Sequence, residues 1–153
     1  MARFNQPLFD SGFASGLVYY EDQYPGQDPT ARIVLSVTVA GLHTVPAIVD
    51  TGAPWCLLDA DILAEIEPVQ ADSLPTERLS IRGVSYQGRL TRLIVSLRAD
   101  EGEDVDLEAT VFVPILNPDE TWNVPNFIGL QGLLSRIRFA VDPAENVFYF
   151  GPT

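Results

Sequence analysis

A single cysteine, Cys56, occurs in the 153 residues, so no internal disulfide can form. That usage suits a reducing compartment. No run of 18 apolar residues is present, so no transmembrane helix is expected. The opening, MARFNQPLFDSGFASG, places Asp10 and other polar residues where a secretory signal needs an apolar run. The expected location is the cytoplasm. Positive charge is scarce: nine Lys and Arg stand against 21 Asp and Glu, a net charge of −12. Phosphate backbones and anionic membranes are bound by clustered cations, so neither nucleic acid nor a membrane is expected as partner. One histidine and one cysteine cannot assemble a zinc site. No phosphate loop or dinucleotide fingerprint occurs, and neither cofactor nor metal is expected.

What is present is an ordinary globular balance, 46% hydrophobic and 20% charged, in a length that supports one domain with a core. Residues 1–30 are rich in Gly, Pro, Gln and Asp and read as an N-terminal arm or lead-in, with a short strand at 16–20. From residue 31 the period becomes two. Ile33, Leu35, Val37 and Val39 share one strand face. A turn is expected over 40–44, then a buried strand over 45–50. Residues 59–66 form a helix candidate capped by Asp59, with Ile62, Leu63 and Ile66 on one face. Residues 77–83 and 87–99 read as strands joined by the glycine-flanked turn GVSYQG. Residues 105–115 alternate as a long half-buried strand, and 117–126 are a loop. A buried strand end, a glycine and a short helix follow over 127–137, and a hairpin closes the chain. The class is all-β, with one or two short helices.

The chemistry-bearing stretch is PAIVDTGAPWCLL, residues 46–58. It puts Asp50 at the end of an apolar strand, where an isolated charge is costly. Hydrolysis by water needs one group to take a proton and another to give one. Two carboxylates about 3 Å apart cannot both ionise, so they share a proton and divide those roles. Gly52 permits a tight turn beneath the carboxylate.

AIVDTGA resembles the active-site signature of the aspartic proteases, and of the single-domain, retropepsin-like branch in particular. FIGLQGLLSRIRFAVDP, about 80 residues later, resembles that family's second hallmark, two apolar residues and a glycine before a short helix. IRGVSYQGRL falls where the family has its flap hairpin. The resemblance runs over roughly residues 31–151 and is closest to the bacterial retropepsin-like proteins. It implies a closed β barrel or sandwich of acid-protease type over 31–153. It also implies catalysis by Asp50, with Thr51 and Gly52, on a peptide or protein substrate. Ala53, Gly83, Val84, Ser85 and Ile128 would contact substrate. Phe127-Ile128-Gly129 would pack under the Asp-Thr-Gly loop. With one motif per chain, the second carboxylate would be Asp50 of another copy, across a two-fold homodimer. The closing strands pair across the dimer in the retroviral type, and whether they do so here is left open. LFDSG, residues 8–12, also carries Asp-Ser-Gly, but residues 1–30 are too few to build a second lobe around it. It reads as a turn or capping segment.

The chain departs from that pattern in four places. Pro54 removes a backbone N–H near the proposed cleft, and Trp55 follows at once. The flap turn carries Ser85, Tyr86 and Gln87. Leu130 and Gln131 replace polar residues after the second motif's glycine. These departures also fit a peptide-binding or assembly module that keeps fold and dimer without efficient catalysis. Elsewhere, Cys56 reads as a buried structural thiol and His43 as a solvated turn residue. The acidic stretch 100–108 reads as a solvated hairpin, not a calcium loop. Trp122 either lines the cleft or anchors its loop.

Overall fold

β-branched and aromatic residues in period-two runs, broken by glycine and proline, fold here into two sheets. The computed structural model describes residues 6–26, 32–66 and 76–153. The parts of the expected lead-in at 1–5 and 27–30, and the expected strand start at residue 31, lie outside the described residues.

The larger sheet contains β2 (Val34–Val39), β3 (His43–Val49), β4 (Cys56–Leu57), β5 (Thr76–Ile81), β6 (Val84–Leu97), β8 (Val105–Pro114) and β9 (Phe127–Ile128). Its order is β2-β3-β9-β4-β8-β6-β5. A further β2–β6 pairing, Val37↔Leu97 to Val39↔Val95, closes it into a barrel and leaves β5 as an overhang. The second sheet is β10-β11-β1-β7, from β1 (Gly16–Tyr19), β7 (Glu101–Gly102), β10 (Ile137–Asp142) and β11 (Val147–Pro152). β1 is internal to it: Gly16 pairs with both Phe150 and Gly102, and Leu17 is fully buried. This part of the lead-in is therefore built into the fold.

The main core lies inside the barrel, with Leu35, Val37, Val39, Ala47, Val95, Ala109, Val111 and Ile128 packed together. Full burial of each larger aliphatic side chain contributes about 2 kcal/mol. β8 differs from the half-buried strand expected. Ala109, Thr110, Val111 and Phe112 are all buried, because a second cluster covers the other face. That cluster holds Leu57, Ile81, Leu90 and Phe112, flanked by Trp55, Tyr86, Trp122 and Phe127.

The helix expected at 59–66 forms as α2 (Ala60–Ala64), with the Asp59 carboxylate accepting from the Asp61 N–H at 2.8 Å. A second short helix, α1 (Gln6–Asp10), precedes Ser11-Gly12, so Asp10-Ser11-Gly12 is a helix end and turn. The short helix expected within 127–137 is only one 3-10 turn, Leu134–Arg136. The turn expected at 40–44 closes earlier, and His43 is in β3, half-buried, with Nε2 3.3 Å from the Glu65 carboxylate. At 98–104 the Asp104 carboxylate accepts from the Ala99 N–H at 2.7 Å and from Arg98 at 3.1 Å. Those contacts hold its carboxyl below the ordinary range. No helix among the described residues is long and apolar enough to cross a membrane.

Candidate active site

β3 ends at Val49, and β9 runs parallel beside it, pairing Ile48↔Phe127 and Val49↔Ile128. The ladder continues one step, with the Asp50 N–H donating to the Ile128 carbonyl at 3.0 Å. Beyond that the chain turns back. The Ala53 N–H donates to the Asp50 carbonyl at 3.2 Å, and the Asp50 Oδ1 accepts from the Gly52 N–H at 2.8 Å. Asp50 is thus held from its backbone and from one carboxylate oxygen.

The second motif locks this loop from below. Leu130 N–H donates to the Ala53 carbonyl at 2.7 Å, and the N–H groups of Gln131 and Gly132 both donate to the Pro54 carbonyl at 2.9 Å. A Cβ on Gly129 would lie 2.3 Å from the Trp55 carbonyl oxygen, and one on Gly132 would lie 2.6 Å from that of Thr110. Only glycine permits this approach at either position. The loop and the second motif are therefore one interlocked unit.

Asp50 opens into a cleft of about 830 Å³. Ile48, Val49, Gly52, Ala53, Pro54, Leu57 and Phe127 form its floor. Leu79, Ser80, Ile81 and Arg82, from the overhanging β5–β6 hairpin, form one wall. Tyr20, Asp22, Arg32, Ile33, Pro143 and Asn146 complete it. Asp10 is not at this cleft.

The sequence-derived site residues divide between cleft and surroundings. Asp50, Gly52 and Ala53 line the cleft. Thr51 is exposed beside it, and its hydroxyl has no hydrogen bond within the chain among the described residues. Ile128 is buried in the core and supports Asp50 through its carbonyl, while its neighbour Phe127 faces the cleft. The hairpin turn expected over 83–88 is displaced. β5 and β6 pair from Ile81↔Val84 onward, so the turn is Arg82-Gly83, both at positive φ (52 and 82). Such a two-residue turn matches the strand twist, and Ser85, Tyr86 and Gln87 continue the strand. Gly83, Val84 and Ser85 sit at the exposed tip, and the cleft wall begins at Arg82.

Asn126 escaped sequence reasoning. It is buried, its backbone carbonyl accepts from the Ile48 N–H at 2.8 Å, and its side-chain nitrogen donates to Pro46 at 2.9 Å. Its side-chain oxygen accepts from the Asp59 N–H at 2.8 Å, and its own N–H donates to the Tyr24 hydroxyl at 3.1 Å. One residue, through its side-chain amide and its backbone N–H, ties β3, the α2 cap and the lead-in together. The available signal was a polar residue directly before a buried strand. Trp122 packs edge-on to Tyr86 with ring centroids 5.2 Å apart, so it anchors its loop to the hairpin and does not line the cleft. Cys56 lies beneath the site, and burial pushes its thiol up to about 11. Among the described residues no three His, Cys, Asp or Glu side chains group as a metal site.

No protein-family model matches the chain, and no curated protein matches it as a relative.

Proposed function

We propose that this chain is an aspartic endopeptidase of the retropepsin-like kind, working as a homodimer with Asp50 from each copy. The observation that carries this reading is the Asp50 loop. A carboxylate is fixed through its backbone to β9 and through Oδ1 to Gly52, in a cleft with a hairpin as one wall. Among the described residues one such loop exists per chain, and a two-fold axis brings identical loops together without further design. The exposed Thr51 hydroxyl is available to bond across that axis. β11 already pairs with β1 on one edge and β10 on the other, so the copies would not join by adding to β11. They would meet through the face carrying Thr51 and the exposed Leu130.

In this mechanism the paired carboxylates share one proton. The ionised one takes a proton from water as its oxygen attacks the scissile carbonyl carbon. The other gives its proton to the carbonyl oxygen. Collapse of the resulting diol breaks the C–N bond, and the amine leaves with a proton from the pair.

Replacing Asp50→Asn is expected to lower peptide cleavage by about a thousandfold or more while the dimer seen by light scattering persists. Undiminished cleavage by that variant would overturn the mechanism. Pro54 favours a second reading. It lines the cleft and offers no N–H, so an extended peptide loses one backbone partner there. In that case the dimer binds peptides that neither form of the protein cuts.

A further inference from the structure

The chain has no lysine, so its nine arginines carry all of its side-chain cations apart from His43. Several are engaged. Arg92 stands 3.6 Å from Glu108, Arg98 3.1 Å from Asp104, and Arg78 donates to Ser85 at 3.2 Å. Arg136 donates to the Glu108 carbonyl and, at 2.7 Å, to the Thr110 hydroxyl. Arg32 and Arg82 differ. Both line the cleft that holds Asp50, and among the described residues neither guanidinium has a hydrogen-bond or ion-pair partner. Arg138 also has no such partner among the described residues, but it is exposed on β10 and does not line the cleft.

The two arginines reach the cleft from different elements. Arg32 directly precedes Ile33, whose carbonyl accepts from the Val49 N–H at 2.8 Å, and so stands close to Asp50. Arg82 is the first central residue of the hairpin turn at φ 52. That position suits Asn, Asp or Gly, and a long cationic chain there breaks the local rule. Residues that break local rules without gain to the fold concentrate at functional positions.

We propose that Arg32 and Arg82 form an anion-recognising subsite of the cleft, taking the side-chain carboxylate of an Asp or Glu that flanks the scissile bond of a peptide. This rests on the endopeptidase reading above. A guanidinium presents a planar fork of donors that matches a carboxylate, which a lone pair of hydroxyls or amides does not. The adjoining walls, Leu57, Leu79, Ile81 and Phe127, are apolar and accept the residues at the cut itself. Asp22 and Asp50 line the same cleft, and Asp22 accepts from Asn146 at 3.5 Å. With one proton shared between two Asp50 groups, the local balance still leans positive, against −12 for the whole chain. The acidic surface repels an acidic peptide at long range. The arginines therefore select at contact distance, inside a Debye length of about 8 Å, and do not steer approach.

The test uses matched fluorogenic peptides with apolar residues at the two central positions and Glu or Gln scanned through the flanking ones. In the wild-type protein, kcat/KM is expected to favour Glu over Gln by roughly tenfold at one flanking position. Arg82→Asn, which suits the turn, and Arg32→Gln are each expected to bring that ratio toward one. Equal rates for Glu and Gln at every position would overturn the proposal, as would a preference that survives both substitutions. If the substitutions lower the dimer fraction in light scattering and leave the ratio alone, the arginines serve the interface and the proposal also falls. If no peptide is cut, anisotropy of the same labelled peptides decides. Tighter binding of Glu than Gln, lost in both variants, upholds the subsite while sinking the endopeptidase reading. Equal binding overturns the subsite as well.

Discussion

Two regions meet at the cleft, and they are built in opposite ways. The Asp50 loop is welded to the second motif by backbone hydrogen bonds at 2.7–3.0 Å, with Gly129 and Gly132 leaving no room for a methyl group. β5 overhangs the barrel as its outermost strand, and at the tip it shares with β6 a Cβ on Gly83 would meet nothing within 4 Å. Ahead of Gly88, where β6 begins to pair with β8, the hairpin meets the rest through Leu79, Ile81 and Tyr86 against Trp122 and the cluster around Phe112, and through Gln87, whose carbonyl accepts from the Ile115 N–H at 2.8 Å. The difference separates two tasks. A carboxylate that must meet its twin needs a fixed position, and close packing supplies it. A wall that admits a peptide needs an edge that can yield, and a hairpin with an exposed tip supplies that.

The comparison breaks most sharply at Asp50. Asp50→Asn leaves every backbone contact of the welded loop in place and removes the chemistry, so cleavage and fold should part company there. Gly129→Ala does the reverse. Its methyl group would sit 2.3 Å from the Trp55 carbonyl oxygen and 2.8 Å from that of Ala53, both backbone atoms that cannot swing away. We expect a loss of about 3 kcal/mol or more in urea unfolding, with cleavage falling in parallel as the Asp50 loop shifts. A variant within about 0.5 kcal/mol of wild type would mean that the two motifs are not welded.

Cys56 reports on the same region without changing it. Burial raises its thiol from 9.0 to about 11, so at pH 8 the thiolate is about a hundredfold rarer than in the unfolded chain. Alkylation by iodoacetamide at pH 8 should be slower in the folded protein by at least that factor, since access adds to it. The sign for stability follows. An acid kept neutral by burial contributes fully below the ordinary thiol range. That contribution fades as pH rises from about 9 through about 11, so urea midpoints should fall across that window. Rapid alkylation of the folded protein would show that the floor of the site opens.

The legibility of the two regions in the sequence follows the same division. The welded region announces itself locally: VDTGA and FIGLQG each carry their geometry in five or six adjacent residues. The mostly-β class was also legible, because period-two patterning at 34–39 and 105–114 is a local signal. The hairpin turn was not. Gly83 and Gly88 both read as turn ends, and the choice of Arg82-Gly83 depends on the pairing of β5 with β6. β1 was read as an isolated strand because its partner, β11, lies about 130 residues away in the chain. Asn126 was unreadable for a related reason, since its partners Tyr24, Pro46 and Asp59 are brought together only by the fold. The cleft residues Arg32 and Asn146 belong to no local motif and reach the cleft only through the fold.

Gly83→Ala makes the smallest and most discriminating test of the comparison. Gly83 sits at φ 82 with open space around its missing Cβ, so the substitution meets no atom and changes only the backbone preference. An alanine in that left-handed region costs about 1 kcal/mol, about a third or less of the loss expected at Gly129. That strain falls on the hairpin, which is free to relax it by opening at the tip. Global stability by urea unfolding should therefore drop by no more than about 1 kcal/mol, while KM for peptides rises and kcat holds. The split between KM and kcat carries the argument. If kcat falls with KM unchanged, the tip is coupled to the Asp50 loop, and the cleft is one rigid body in place of two regions built for different tasks.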